Sequence, residues 1–399
     1  VSLPIGLALV NISLAFAVLL VIRRLILDPA SRKRFLSGIT IPILIWLALS
    51  LILPYFSQFT FKPNNWANER VVVLCYVVAL VLIDNVRLAV KSLWAIIISG
   101  GVMSLYAIFQ YFYGYDVIRG IELEHMGNGH FALGLFSWHL TWGGVALVLV
   151  MISLARMFYS VKGKWGVTAI GLALLNGIGM ITSFGRSAIL GGGVGLLLLI
   201  TLLRKKYRYY ALGGAVIAVV LAVFFMPGLS DRLMKSVNVG QGITDDWNEG
   251  TRMRLWQTSL VMIQNHPVTG IGWGNFGVGF SIYKVPGYYH TECHSHSDIL
   301  QEAAFGGIPT VIAYAAVWVL FLVLVVRAYR KTAVGDQERW ILQMGMAVAV
   351  AFLVAGIFQC YLTDDEVGNM VWYTLGLTMA VVHLRKMGLS TGLTGEPCA

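Results

Sequence analysis

The chain has 399 residues, 58% of them hydrophobic and only 12% charged, whereas soluble domains carry about 25% charge. That balance excludes an ordinary water-soluble domain and makes this an integral membrane protein. The formal net charge of +10 would also suit a nucleic-acid partner, so the distribution of the charge along the chain has to decide.

In chain order, apolar stretches fall near residues 3–22, 35–56, 71–90, 92–113, 138–158, 165–183, 187–203, 209–227, 307–327, 340–360 and 368–384. Each is about 17–25 residues long, enough to cross a hydrocarbon core about 30 Å thick as a helix. The expected fold is an all-α polytopic membrane protein with about 11–12 transmembrane helices. Alternate connections hold most of the basic residues: Arg23, Arg24, Arg32, Lys33 and Arg34; Arg87 and Lys91; Arg156, Lys162 and Lys164; Arg204, Lys205, Lys206 and Arg208; Arg327, Arg330, Lys331 and Arg339; Arg385 and Lys386. The connections between them hold most of the acidic residues. This is the positive-inside pattern, which places the basic loops and the C-terminus in the cytoplasm and makes nucleic acid unnecessary as a partner. Residue 1 then lies outside. With an odd number of spans and Val rather than Met at the start, the expectation is further residues upstream, as a twelfth helix or a processed signal peptide.

The cysteines are scattered at Cys75, Cys293, Cys360 and Cys398 without CxxC spacing, so neither a disulfide framework nor a zinc knuckle is expected. The organisation reads as N-terminal helices over 1–227 (about eight spans), a long outward-facing loop over 228–306, and about three spans with a short cytoplasmic tail over 307–399. A loop of that length in a compact protein is functional or disordered. This one is too aromatic and apolar for disorder, and should fold as a lid or half-site.

Within the loop, "TRMRLWQTSLVMIQNHP" predicts a helix with Thr251 as N-cap, an apolar stripe of Trp256, Leu260 and Ile263, and Pro267 as its stop. Arg252 and Arg254 would occupy the first turn, where cations oppose the helix dipole and a bound anion would be welcome. Pairing with Asp245, Asp246 or Glu249 is the plain alternative. The following "GIGWGNFG" contains GxGxxG at Gly272, Gly274 and Gly277, but neither follows a strand nor opens a helix in a βαβ unit, so it is read as a turn rather than a dinucleotide fingerprint.

Next comes "HTECHSHSDIL", residues 290–300. His294, His296 and Asp298 imitate a zinc-hydrolase HxHxD run if the segment is extended. Yet Ser295 and Asp298 fit a capping box that opens the helix "DILQEAAF", stopped by Gly306 and Gly307 before Pro309 starts the next span. On a helix, residues two apart point about 200° apart and do not chelate together. In the first turn, His296 would be kept neutral by the dipole and able to accept a proton; a structural histidine is the alternative. Farther upstream, "MITSFGRSAILGG" places Arg186 as the only charge between Lys164 and Arg204. At membrane depth an arginine normally faces a cavity or a partner, although snorkelling at the interface is also open. The remaining candidates read as structural: His125 and His130 as loop surface, His139 and His266 as fold histidines, and Asp364, Asp365 and Glu366 as a solvated acidic turn.

A neutral histidine beside arginines that want an anion suits glycosyl transfer from a prenyl-diphosphate donor. The sequence here resembles the bacterial O-antigen ligases, in the superfamily that also holds O-antigen polymerases and protein O-oligosaccharyltransferases. The ligase pattern H-[NSQ]-x9-G-x2-[GTV] fits His296, Ser297, Gly307 and Thr310. An arginine four residues before a tryptophan, then HPxxGxGxxxF, fits Arg252, Trp256 and "HPVTGIGWGNF", with Arg254 as rival to Arg252. An upstream arginine before small residues fits "FGRSA" and Arg186. The resemblance implies a C-type glycosyltransferase-like membrane enzyme with one long, partly helical periplasmic loop. It would move O-antigen polysaccharide from undecaprenyl diphosphate to lipid A-core at the periplasmic face of the inner membrane, without metal, nucleotide or other cofactor. His296 would be the base, Arg186 and Arg252 would grip the diphosphate, and Arg254 and His294 would be further substrate contacts. Polymerase or protein-acceptor chemistry, or a transporter with Arg186 in its path, are the rival expectations.

Overall fold

The computed structural model describes residues 7–159, 163–225, 249–287 and 294–388, and these are helical apart from short connections and two small hairpins. The first half holds α1 (Leu7–Leu27), α2 (Pro29–Phe35), α3 (Thr40–Ile52), α4 (Pro63–Arg70), α5 (Leu74–Leu82) and α6 (Val86–Tyr113). The hairpins β1–β2 (Tyr115–Asp116, Ile121–Glu122) and β3–β4 (His125–Met126, Gly129–His130) follow. Then come α7 (His139–Tyr159), α8 (Gly163–Ile181), α9 (Arg186–Thr201) and α10 (Lys205–Phe225). The remainder comprises α11 (Glu249–Asn265), α12 (Phe276–Tyr283), α13 (Asp298–Arg330), α14 (Gln337–Gly356) and α15 (Asp365–Lys386).

Among the described residues, 8 helices are long and apolar enough to cross a membrane, with α4 running into α5 as one of them; the α2–α3 pair, bent by 61°, makes a ninth. The chain is an all-α, multi-pass membrane protein. Two boundaries differ from the sequence expectation. The break between the spans expected at 71–90 and 92–113 falls earlier, at 83–85, because Asn85 caps α6 by accepting from the Leu88 N–H at 2.7 Å. The span expected to reach residue 360 ends at Gly356, which frees 357–364 as a loop.

Helices α7, α14 and α15 form the buried centre, whereas α10 buries nothing and turns residues such as Val216, Val219 and Phe224 outward, as a lipid-facing helix can. Small residues bring α9 close to the centre: a Cβ at Gly191 would strike the Ala351 carbonyl, and one at Gly195 would crowd Met151 and Ala351. Gly191 and Gly195 thus face Ala347, Ala351 and Ala355 in the small-xxx-small manner of membrane helix pairs. Asn176 ties three helices together, accepting from Ser104 Oγ at 2.8 Å and donating to Ser153 Oγ at 3.0 Å.

α13 is two helices joined at Gly307, whose φ of 77° and ψ of 175° belong to a region that is essentially glycine-only. The break is held by backbone of the preceding turn. Ile271 N–H donates to Ala304 O (2.8 Å), Gly272 N–H to Phe305 O (2.9 Å) and Ile308 N–H to Pro267 O (2.7 Å). A Cβ on Gly307 would collide with the Val268 carbonyl. The irregular backbone is tolerated because neighbouring protein groups satisfy it. Gly307→Ala should therefore destabilise by about 1–3 kcal/mol from the backbone alone, read as a lower melting temperature in detergent. Gly193→Ala is the control: nothing lies near its Cβ position, so it should be neutral or stabilising.

The half-helix 298–306 is anchored from inside by Glu302, which is 1% exposed and ion-paired to the equally buried Arg70. Trp46 Nε1 donates to the same carboxylate at 2.9 Å. The Arg70 guanidinium lies between the rings of Trp46 and Trp273, 4.6 and 4.9 Å from their centroids. Beside this cluster, Leu255 and Met262 of α11 pack with Trp273, Phe276, Phe280 and Phe305. The expected α11 stripe is thus shifted: Leu260 is 48% exposed, and the helix begins at Glu249 rather than capping at Thr251. The buried ridge runs through Leu255, Ser259 and Met262, spaced by the four and three residues that share a helix face.

Candidate active site

Residues 294–297 lead into α13 through a turn rather than through the expected capping box. Ser297 is the N-cap and makes no side-chain cap bond, so the helix starts two residues later than a box on Ser295 and Asp298 requires. Gln301 holds the turn instead: its Oε1 accepts from Ser295 N–H (3.1 Å) and Ser295 Oγ (3.2 Å), while Ser295 Oγ also lies 2.9 Å from Ser297 O. His296 stands in the left-handed region at φ 53°, uncommon for a residue other than glycine, although asparagine, aspartate and histidine enter it several-fold more often than the rest. Its ring lies outside the first helical turn, so the dipole explanation for a neutral imidazole is replaced by another.

That explanation is local. Burial, followed by the neighbouring His294 and Arg252, pushes the His296 imidazole down to about 3, because each disfavours the charged form. His294 is lowered to about 4 by burial and then Arg252. The two rings lie 4.0 Å apart between centroids. His296 Nδ1 is 3.1 Å from Gln359 Oε1, which requires the proton on Nδ1 and leaves the lone pair on Nε2. His294 Nδ1 accepts the His296 backbone N–H at 3.2 Å, so its Nε2 carries the hydrogen.

The HxHxD run does not act as one unit. Asp298 Oδ1 accepts from the Leu362 N–H at 2.8 Å and its other oxygen lies against Gly356, so the aspartate anchors the 357–364 loop. Among the described residues, no group of three or more His, Cys, Asp or Glu converges as a metal site.

The loop 357–364 ties the site together, and its part was missed in the sequence because 340–360 reads as one apolar span. Gln359 holds His296. Tyr361 OH is 3.0 Å from Ser187 Oγ, one residue after Arg186 at the start of α9, and Tyr361 also lies within the field of Arg252. Phe358 packs against Trp256, with ring centroids 6.0 Å apart. Asp364 caps α15 by accepting from Val367 N–H and also accepts from Thr141 Oγ1 at 2.6 Å. Burial pushes its carboxyl up to about 7. It is an anchor, not the expected solvated turn. The one detectable signal was Gln359 itself, a polar side chain at the end of a long apolar run.

α11 presents its two arginines in different directions, as residues two apart on a helix must. Arg252 lies in electrostatic reach of His294, His296 and Tyr361, with Trp256 four residues on along the same face. Arg254 packs over the backbone of Gly287, where a Cβ would strike its side chain. The other histidines have local partners. His125 and His130 face each other across β3–β4, with centroids 4.4 Å apart; His139 Nδ1 lies 2.7 Å from Ser183 O, and His266 Nε2 lies 2.7 Å from Tyr283 OH.

Residues 170–315 match a family model described as Wzy_C, O-antigen ligase. Over that segment the chain is similar to the O-antigen ligase superfamily. No curated protein matches it. The matched segment contains Arg186, Arg252, His294, His296 and the Gly307 break, whereas Gln359 and Tyr361 lie beyond it. That family is associated with polysaccharide and lipid-linked substrates in general terms, and with glycosyltransferase-like membrane chemistry.

Proposed function

We propose that the protein transfers O-antigen polysaccharide from undecaprenyl diphosphate to a sugar hydroxyl of lipid A-core, at the periplasmic face of the bacterial inner membrane. The observation that carries this reading is a neutral His296, with its free Nε2 fixed by Gln359, within the field of Arg252. In this scheme Nε2 takes the proton of the acceptor hydroxyl as its oxygen attacks the anomeric carbon of the donor sugar. The bond from that carbon to the diphosphate oxygen breaks, and the charge gathering on the leaving undecaprenyl diphosphate is met by Arg252 and Arg186. Attack from the face opposite the leaving group inverts the anomeric carbon. His294, with a hydrogen on Nε2, is placed to donate to a substrate oxygen.

The test is transfer by purified protein with a prenyl-diphosphate glycan as donor and lipid A-core as acceptor, chelator present throughout. Polymer-capped lipid A is the expected product. Free elongated glycan in its place would move the reading to a polymerase. In the same assay, Arg252→Lys should lose about tenfold or more, because lysine keeps the charge but not the bidentate fork, whereas Arg254→Lys should stay within about twofold of wild type. Equal losses would remove the distinction drawn from their directions. kcat/KM should show no imidazole step near pH 6.5, because the free-enzyme base stays neutral until the pH nears its lowered value; a step there would place His296 in an ordinary aqueous environment.

A further inference from the structure

At the end of the bundle opposite His296, a cavity of about 720 Å³ lies between the C-terminal ends of α13 and α15 and the start of α14. Arg327, Lys331, Arg385 and Lys386 line it against only two carboxylates, Asp336 and Glu338. Arg385 is committed to the wall, donating to the Lys331 carbonyl and standing 4.0 Å from Asp336. Arg327, Lys331 and Lys386 form no ion pair among the described residues, and all three are exposed. The cavity therefore has uncompensated positive charge over an apolar floor that includes Leu324, Ala328 and Val382.

A second observation sets the direction from which a ligand would come. Val319, Val323, Arg327 and Lys331 are spaced by four residues and so follow one another along a row that drifts about 40° per step around α13. Val319 is 61% and Val323 36% exposed. An outward apolar stripe thus runs along the helix and ends in two cations. At 1.5 Å per residue, the stripe from Val319 to Lys331 is roughly 18 Å long, close to one leaflet's share of a hydrocarbon core about 30 Å thick.

We infer that this cavity binds the phosphodiester headgroup of an anionic phospholipid whose acyl chains lie along the Val319–Val323 face. Arginine and lysine side chains suit phosphate oxygens, and basic pockets between membrane helices on the positive side recognise anionic headgroups. The apolar stripe distinguishes a lipid from a free phosphate, which would gain nothing from it. The site is independent of the glycan-transfer reading, since it lies at the other end of the molecule.

The experiment uses the delipidated full chain in detergent, titrated with dioleoyl phosphatidylglycerol or dioleoyl phosphatidylcholine, with bound lipid counted by native mass spectrometry. Wild type should prefer phosphatidylglycerol. Arg327→Gln/Lys331→Gln should weaken that binding about 30-fold, from roughly 1 kcal/mol per cation near an anionic surface, and Lys386→Gln by about fivefold on the same basis. Both variants alter exposed side chains, so melting in phosphatidylcholine should match wild type. Equal binding of the two lipids, or unchanged phosphatidylglycerol binding by the double variant, would overturn the proposal. Displacement of the lipid by 10 mM inorganic phosphate (about that level suffices to fill a weak free-anion site) would overturn it too.

Discussion

Replacing His296 with alanine is expected to cut glycan transfer by about 10²–10⁴-fold, the usual contribution of a positioned general base, while the protein still inserts and folds. The expectation rests on the ring, not on the backbone around it, so the two have to be separated. His296 sits at φ 53°, where alanine is strained and asparagine is tolerated. His296→Asn keeps the turn and removes the base, and should lose as much transfer as the alanine variant. Initial rates of polymer-capped lipid A formation, paired with melting curves, make the comparison. Substantial transfer by His296→Asn would sink the base assignment, and a loss confined to His296→Ala would reassign the residue to shaping the turn. Gln359→Leu provides a milder check: without its oxygen the Nδ1 proton is no longer fixed, and the rate should fall by about tenfold if one hydrogen bond of about 1–1.5 kcal/mol is lost.

Glu302→Ala should destabilise the fold by about 3–5 kcal/mol, the cost of leaving one member of a buried ion pair uncompensated. Arg70 would remain clasped between Trp46 and Trp273 with no anion, and the Trp46 indole N–H would lose its acceptor. Glu302→Gln should fall between the alanine variant and wild type, because it keeps an acceptor for Trp46 but not the charge. Arg70→Met/Glu302→Met should recover much of the loss, since burying neither charge removes the desolvation penalty. Unfolding in detergent, followed by tryptophan fluorescence, reports all three. A loss below about 1 kcal/mol for Glu302→Ala would mean that water reaches Arg70 and that the pair does not anchor the half-helix.

The helical membrane fold was legible because long apolar runs need few other facts, and the site segment because Arg186, Arg252 and His296 are polar residues with motif spacing. What escaped was tertiary. Arg252 and Arg254 look equivalent in sequence, and only the packing of α11 turns one toward His296 and the other onto Gly287. Gln359 reads as the tail of a span until the helix is seen to stop at Gly356. The capping box at Ser295 was plausible locally, but the Gln301 side chain claims the same serine and delays the helix. Glu302 and Arg70 are 232 residues apart, and nothing local links them.

The clamp around Gly307 also sets what kind of sequence change this region can absorb. Its three hydrogen bonds run from backbone to backbone between 267–272 and 304–308, so they do not depend on which side chains the turn carries. Val268 points outward and is 55% exposed, although its carbonyl is the atom that excludes a side chain from residue 307. Residue identity at 268 and 269 is therefore nearly free, whereas loop length is not. Inserting or deleting one residue between Pro267 and Gly272 would set the Ile308–Pro267 bond out of register with the Ile271–Ala304 and Gly272–Phe305 bonds, and transplanting either segment of the clamp into another scaffold would require moving both.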